Sequence, residues 1–218
     1  MYRKVEKYKS SILHLYKAMY LFIASLLLAS SASANSTIST FSIKQDDIVL
    51  GNANAKVVVV EYFAPTCTHC VHAHHKIFPV IKERYIDTGK IAYVMREFVG
   101  NKQDLDASIL ARCEGSNEKY MALKDLVLSK QDEWAYGRDY RKSLESFAES
   151  VGISKEEVES IINSDQYADQ VKEDQAIAHQ LGANGVPFFV FDMKYGISGA
   201  QPQEVFDQTL VAALSEAN

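Results

Sequence analysis

Cysteine is scarce in this chain: Cys67, Cys70 and Cys113 are all it has. Three cysteines are too few for the disulfide framework that staples small exported domains. Basic charge is short as well. Lys and Arg number 23 against 28 Asp and Glu, which argues against a nucleic-acid partner, because a phosphate backbone needs a basic face. Beyond the first 34 residues no run is long and apolar enough to span a bilayer. Internal repeats and low-complexity tracts are missing too. The composition, 47% hydrophobic and 23% charged, is that of an ordinary globular chain, neither disordered nor collagenous. Its 218 residues suffice for one sizeable domain, with room for an insertion.

What is present begins with an export pattern. Arg3, Lys4, Lys7, Lys9 and Lys17 form a basic stretch, and Ala18 to Ala29 is almost unbroken apolar sequence. "SASA", Ser31 to Ala34, then offers the small residues that a signal peptidase reads. Residues 1–34 are expected to be a signal peptide cleaved before Asn35, sending the protein to the periplasm. An uncleaved anchor that leaves the protein facing the periplasm is the alternative; the apolar stretch is short for a span, but the basic stretch is long for a signal. Removing residues 1–34 takes away five Lys/Arg and one Glu, so the formal net charge moves from −5 to −9.

Residues 35–56 read as an N-terminal leader, polar at first and turning at Gly51-Asn52. "VVVVEYF" (Val57 to Phe63) is continuous and β-branched, as expected of a central strand covered on both faces. Helical character follows from Cys67, with a kink or break expected at Pro79. A second strand spans about Lys90 to Phe98, which makes residues 57–101 a βαβ unit with a parallel pair. From 102 to 182 the periodicity is helical throughout. Leu105, Ile109, Leu110 and Cys113 mark one face, and Tyr120, Leu123, Leu126 and Val127 the next. Leu144, Phe147, Ala148 and Val151 mark a third. Ser154-Lys-Glu-Glu157 is a capping box that opens a helix burying Val158, Ile161 and Ile162, and a last helix stops at Gly182. Residues 183–218 return to strand in "VPFFVFD" and "YGISGA", then close with a helix from Pro202. The pattern predicts one α/β domain interrupted by an all-helical insertion.

Cys67 and Cys70 carry the chemistry. A Cys-x-x-Cys pair closes almost no loop, so as a structural staple it would remove little unfolded-state entropy. Beside a βαβ pattern it is a redox signature instead. Cys67 falls where a strand ends and a helix begins, and there the first amides and the macrodipole favour a thiolate. His69, inside the motif, can donate hydrogen bonds or carry positive charge beside that thiolate. A stabilised thiolate stabilises the reduced form, which makes the disulfide a stronger oxidant.

The buried strand Val57 to Phe63, the "CTHC" motif, the helical segment from 102 to about 181 and the late Val186-Pro187 before a strand together resemble the DsbA-like thiol:disulfide oxidoreductases. The resemblance covers the chain from about Asp46 onward. It implies a thioredoxin fold, a central mixed β-sheet flanked by helices, with an all-helical insertion. It further implies a redox-active Cys67–Cys70 disulfide, Cys67 being the nucleophile and Cys70 the resolving cysteine. Pro187 matches the family's cis-proline, with Val186 against the substrate backbone; Thr68, standing where a proline is usual, completes the substrate-contacting set. Glu61 matches a buried acidic residue behind the dithiol. A carboxylate in a Val-rich strand is costly without a purpose, and a proton relay to Cys70 supplies one. The implied partners are reduced or unfolded exported proteins and a DsbB-like membrane oxidase for recycling. No cofactor and no metal are implied.

Other readings remain. An isomerase or reductase of the same fold uses the same dithiol, although isomerases usually carry an N-terminal dimerisation domain for which there is little room. A carrier of copper or zinc would use Cys67, Cys70, His69, His72, His74 and His75 as ligands, but no second cysteine pair closes such a site. The three later histidines read as a solvated face. Cys113 reads as a buried hydrophobe, and Trp134, Tyr136 and Tyr140 as packing or loop anchors.

Overall fold

A computed structural model describes residues 43–112, 116–164 and 167–217. The predicted signal peptide, the 35–42 part of the leader and Cys113 lie outside these residues. Five strands make one mixed sheet: β1 (Ile48–Gly51), β2 (Val57–Phe63), β3 (Ile91–Glu97), β4 (Phe188–Phe191) and β5 (Tyr195–Ser198), in the order β1-β3-β2-β4-β5. β2 is parallel to β3 and antiparallel to β4, so Glu61 stands beside Met95 on one side and Phe189 on the other. The valine run becomes the central strand because nearly all of its side chains are covered. Val57, Val59, Val60, Tyr62 and Phe63 are all buried.

β1 lies inside the segment read as a leader. It is four residues long, at the sheet edge, and pairs antiparallel with β3. So short a strand leaves no alternation to detect. It ends at Gly51 with φ +82, where an added Cβ would stand 2.7 Å from the Ile91 carbonyl oxygen. Only glycine fits both demands.

The helix after β2, α1 (68–86), runs in four stretches. Thr68–His72 and Phe78–Ile81 are α-helical, while Ala73–Ile77 and Lys82–Ile86 are π-helical. Pro79 therefore does not break the helix. Its ring would crowd the carbonyl four residues back and it has no amide to donate; the backbone answers with a wider turn before it.

Between β3 and β4 lie α2 (Lys102–Arg112), α3 (Asn117–Ser129), α4 (Gln131–Trp134), α5 (Tyr140–Ser150), α6 (Lys155–Ile162) and α7 (Ala168–Gln180); α8 (Gln203–Glu216) follows β5. α2 packs against α3, α5 and α6. It is buried almost all round, Asp104, Asp106, Ser108 and Arg112 included, whereas Leu105 is only half-buried. The single apolar stripe expected for this helix is thus replaced by a mixed, enclosed surface. Its charges are paired: Arg112 meets Glu97 at 2.7 Å, and Arg141 meets Asp106 at 2.9 Å. α6 opens with the expected capping box, Ser154 and Glu157 exchanging side-chain and backbone hydrogen bonds.

Candidate active site

β2 ends at Phe63, and the chain turns through 64–66 before α1 begins. The turn closes on the strand end, since the Cys67 amide donates to the Ala64 carbonyl at 3.1 Å. Cys67 is the N-cap of α1, and its Sγ accepts the Cys70 amide at 3.2 Å. A Ser or Asp oxygen does the same at other helix starts. The sulfur thus sits where unpaired amides and the positive end of the helix favour an anion.

The two sulfurs are driven apart in acidity. The Cys67 thiol is drawn below its ordinary range, most by the hydrogen bond from the Cys70 thiol, then by the amides of Cys70 and His69. Partial burial and the charge of Asp104 oppose this. Cys70 is 1% exposed. That burial pushes its thiol far above the ordinary range, and its hydrogen bond to Cys67 and the charges of Cys67 and Glu61 add to the effect. Both are free thiols, the reduced state of the pair. The His69 and Thr68 side chains are exposed, and the His69 amide is one of the groups that draw the Cys67 thiol down.

Opposite the dithiol the Val186–Pro187 bond is cis. The Cys67 thiol donates to the Val186 carbonyl at 3.3 Å, which brings two segments 119 residues apart into contact. Behind the dithiol Glu61 is 1% exposed and accepts from Lys124 Nζ at 3.0 Å and from the Tyr93 hydroxyl at 3.2 Å. Lys124 is buried too. Its Nζ lies 4.2 Å from the centre of the Phe63 ring and 3.3 Å from Met95 Sδ. Tyr93 is held protonated well beyond the ordinary phenol range by burial and by the Glu61 charge.

Sequence reasoning missed Lys124. Its position four residues after Tyr120 and three before Val127 put it on the buried stripe of α3, and a lysine on such a stripe calls for a buried partner. It also missed Asp104 and Gln131. Asp104 Oδ1 accepts the Thr66 amide at 2.7 Å, and Gln131 Nε2 donates to the Pro65 carbonyl at 2.8 Å.

The histidines after the motif divide. His72 and His75 are exposed, as expected of a solvated face. His74 instead turns inward, 7% exposed, stacks on Phe78 and donates through Nε2 to Asp125 Oδ1 at 2.9 Å. It lies four residues after Cys70 and three before Ile77, on the buried side of α1. Among the described residues no three His, Cys, Asp or Glu side chains are grouped to hold a metal ion. Trp134 is fully buried and its Nε1 donates to the Val127 carbonyl at 2.8 Å; Tyr140 donates to Asp106 at 2.7 Å. Tyr136 is 68% exposed, with its hydroxyl 3.4 Å from the Thr66 carbonyl oxygen at the rim of the dithiol turn.

The family model described as "Thioredoxin" matches residues 44–210. A provisionally named protein-disulfide oxidoreductase of Rickettsia bellii is 40% identical over 178 residues, covering 82% of this chain and 67% of its own length. A provisionally named protein-disulfide oxidoreductase of Rickettsia typhi is 40% identical over 185 residues, covering 85% and 67%. Among solved structures, alpha-DsbA1 of Wolbachia pipientis superposes with a TM-score of 0.74 at 27% identity, over 81% of this chain and 95% of that one. BdbD of Bacillus subtilis superposes at 0.68 with 22% identity, over 78% and 94%, and speaks for the fold alone.

Proposed function

We propose, from the premise that this chain belongs to the thioredoxin family and is a DsbA-like thiol–disulfide oxidoreductase, that it works as an exported dithiol oxidase. In this reading it introduces disulfides into reduced envelope or secreted proteins. A substrate thiolate attacks Cys67 Sγ of the oxidised protein, and the Cys67–Cys70 bond breaks as the mixed disulfide forms. Cys70 leaves and takes up one proton. A second substrate thiolate then attacks the substrate sulfur, completes the substrate's disulfide and expels Cys67 as a thiolate. Two electrons pass from the substrate dithiol to the protein, and both cysteines end reduced.

The placement of the two sulfurs carries this reading: Cys67 Sγ caps the helix start and accepts the Cys70 amide, while Cys70 is buried. This placement drives their acidities apart. A low-pKa thiol is a good leaving group, so Cys67 departs easily in the second step. A buried thiol that resists ionisation is a poor nucleophile, so Cys70 seldom returns to cut the mixed disulfide and release the substrate still reduced. Glu61, whose charge acts on Cys70, is the group we assign to proton delivery at Cys70. Lys124 and Tyr93 hold its carboxylate in place. We assign Val186, Pro187 and Thr68 to substrate contact, a reading supported by the Val186 carbonyl standing 3.3 Å from Cys67 Sγ.

Export rests on the basic and apolar pattern of residues 1–34, and a membrane oxidase that reoxidises the dithiol is the corresponding recycling partner. N-terminal sequencing of protein from an envelope fraction should begin at Asn35.

The decisive measurement is equilibration with glutathione buffers alongside oxidation of a reduced two-cysteine peptide. An oxidase should stay reduced in buffers that oxidise thioredoxin and should oxidise the peptide stoichiometrically. Cys67→Ala should abolish peptide oxidation. A potential near that of thioredoxin would reassign the protein as a reductase, and stoichiometric bound copper or zinc without peptide oxidation would make it a carrier.

A further inference from the structure

The turn that carries Cys67 receives polar contacts from the helical insertion as well as from its own backbone. Gln131, the first residue of α4, is 4% exposed. Its Nε2 donates to the Pro65 carbonyl at 2.8 Å, and its Oε1 accepts from the Thr68 hydroxyl at 3.5 Å. One side chain thus reaches the residue two before the nucleophile and the residue one after it. Asp104 takes the Thr66 amide between them.

The grip has a firm base. α4 is a single turn, but Trp134 three residues on is fully buried and tied to the Val127 carbonyl of α3. The Pro65 contact is strong in geometry and the Thr68 contact weak, so the amide of Gln131 does most by fixing Pro65. Pro65 and Thr68 bracket the backbone that aims the amides of His69 and Cys70 at Cys67 Sγ. Hydrogen bonds to a charged acceptor weaken quickly when their direction is lost. A proline in place of Thr68 would have no hydroxyl for this contact.

We infer that Gln131 is a positioning residue of the dithiol: by clamping Pro65 and Thr68 it fixes the Cys67 turn, and through that turn the helical insertion sets how oxidising the protein is. This rests on the oxidoreductase reading above and adds to it where the tuning comes from.

The test titrates the Cys67 thiolate by its absorbance near 240 nm in the reduced protein and measures the glutathione equilibrium of the same samples. Gln131→Met keeps the volume and removes both polar contacts. Its thiolate midpoint should rise by about 0.5–1 pH unit, and the equilibrium should move about 3–10-fold toward a less oxidising protein. Thr68→Val, at an exposed site, removes only the weaker contact and should shift both readings in the same direction by less. Trp134 is the only tryptophan, so its emission reports whether α4 is still seated. A folded Gln131→Met protein with an unchanged midpoint overturns the inference, even if its melting temperature has dropped. If Gln131→Met does not fold, Gln131→Asn, whose shorter side chain keeps the amide but withdraws it from Pro65, takes its place, and an unmoved midpoint there overturns the inference. The titration reads the thiolate directly. A wild-type protein that oxidised no peptide would therefore refute the proposed function while leaving this comparison readable.

Discussion

Glu61 and Lys124 face each other at 3.0 Å in the interior, 1% and 3% exposed. Each charge costs several kcal/mol to bring out of water, and pairing recovers that only with good geometry and further partners. Here the partners exist. Tyr93 gives the carboxylate a second donor, and the Phe63 ring and the Met95 sulfur face the ammonium. Removing one member should therefore hurt more than removing both. Lys124→Met strands the carboxylate and should cost about 3–5 kcal/mol, lowering the melting temperature by about 6–20 °C. Glu61→Leu combined with Lys124→Met should regain most of that loss. Thermal denaturation of the two single variants and the double gives the coupling, and additive losses would mean the two do not act as a pair. Stability and chemistry separate in the same set. The stable double variant lacks the proposed proton donor to Cys70, so it should still form mixed disulfide about 10-fold or more slowly.

At the scale of elements, what the sequence reveals depends on how local the cause is. β2 is legible because six of its seven consecutive residues are buried, and α6 because its capping box lies within four residues. The dithiol turn is legible because strand, Pro65, Cys67 and helix follow one another in the chain. β1 is not, because a four-residue edge strand has no period and is held by pairing with β3 more than 40 residues on. Its strictest requirement is a glycine. Gly51→Ala meets a positive φ and a backbone oxygen 2.7 Å from the new Cβ, so it should cost about 2 kcal/mol and lower the melting temperature by about 4–8 °C. An unchanged melting temperature would mean that β1 does not hold this conformation in solution. The site shows the same division. Lys124 and His74 can each be placed on a buried stripe by spacing alone, yet their partners Glu61 and Asp125 lie 63 and 51 residues away, where spacing says nothing. Gln131 opens a four-residue helix that offers no period, and its role exists only because the insertion folds back onto the dithiol turn.

Across the whole molecule, the two cysteines tie folding stability to redox state and to pH. In the oxidised protein neither sulfur titrates. The disulfide itself closes so short a loop that it constrains the unfolded chain little, which leaves the ionisation of the reduced pair to decide which form is more stable. Cys67 has a folded value below its unfolded one. Its contribution is fully present above the unfolded thiol value, about 8.5, and is lost as pH falls through the folded value. Cys70 has a folded value above its unfolded one, so the reduced fold loses stability as pH rises past about 8.5, where the unfolded chain can release that proton and the folded one cannot. The reduced form should therefore exceed the oxidised form in stability by a margin that grows from acid pH up to about 8.5 and shrinks beyond it. Urea midpoints of both forms, measured between about pH 4 and pH 10, follow that margin directly. A margin that stays flat below about pH 8 would show that the helix start does not stabilise the Cys67 thiolate. An oxidised form more stable at every pH would make the disulfide a structural one and remove the driving force for donating it to a substrate.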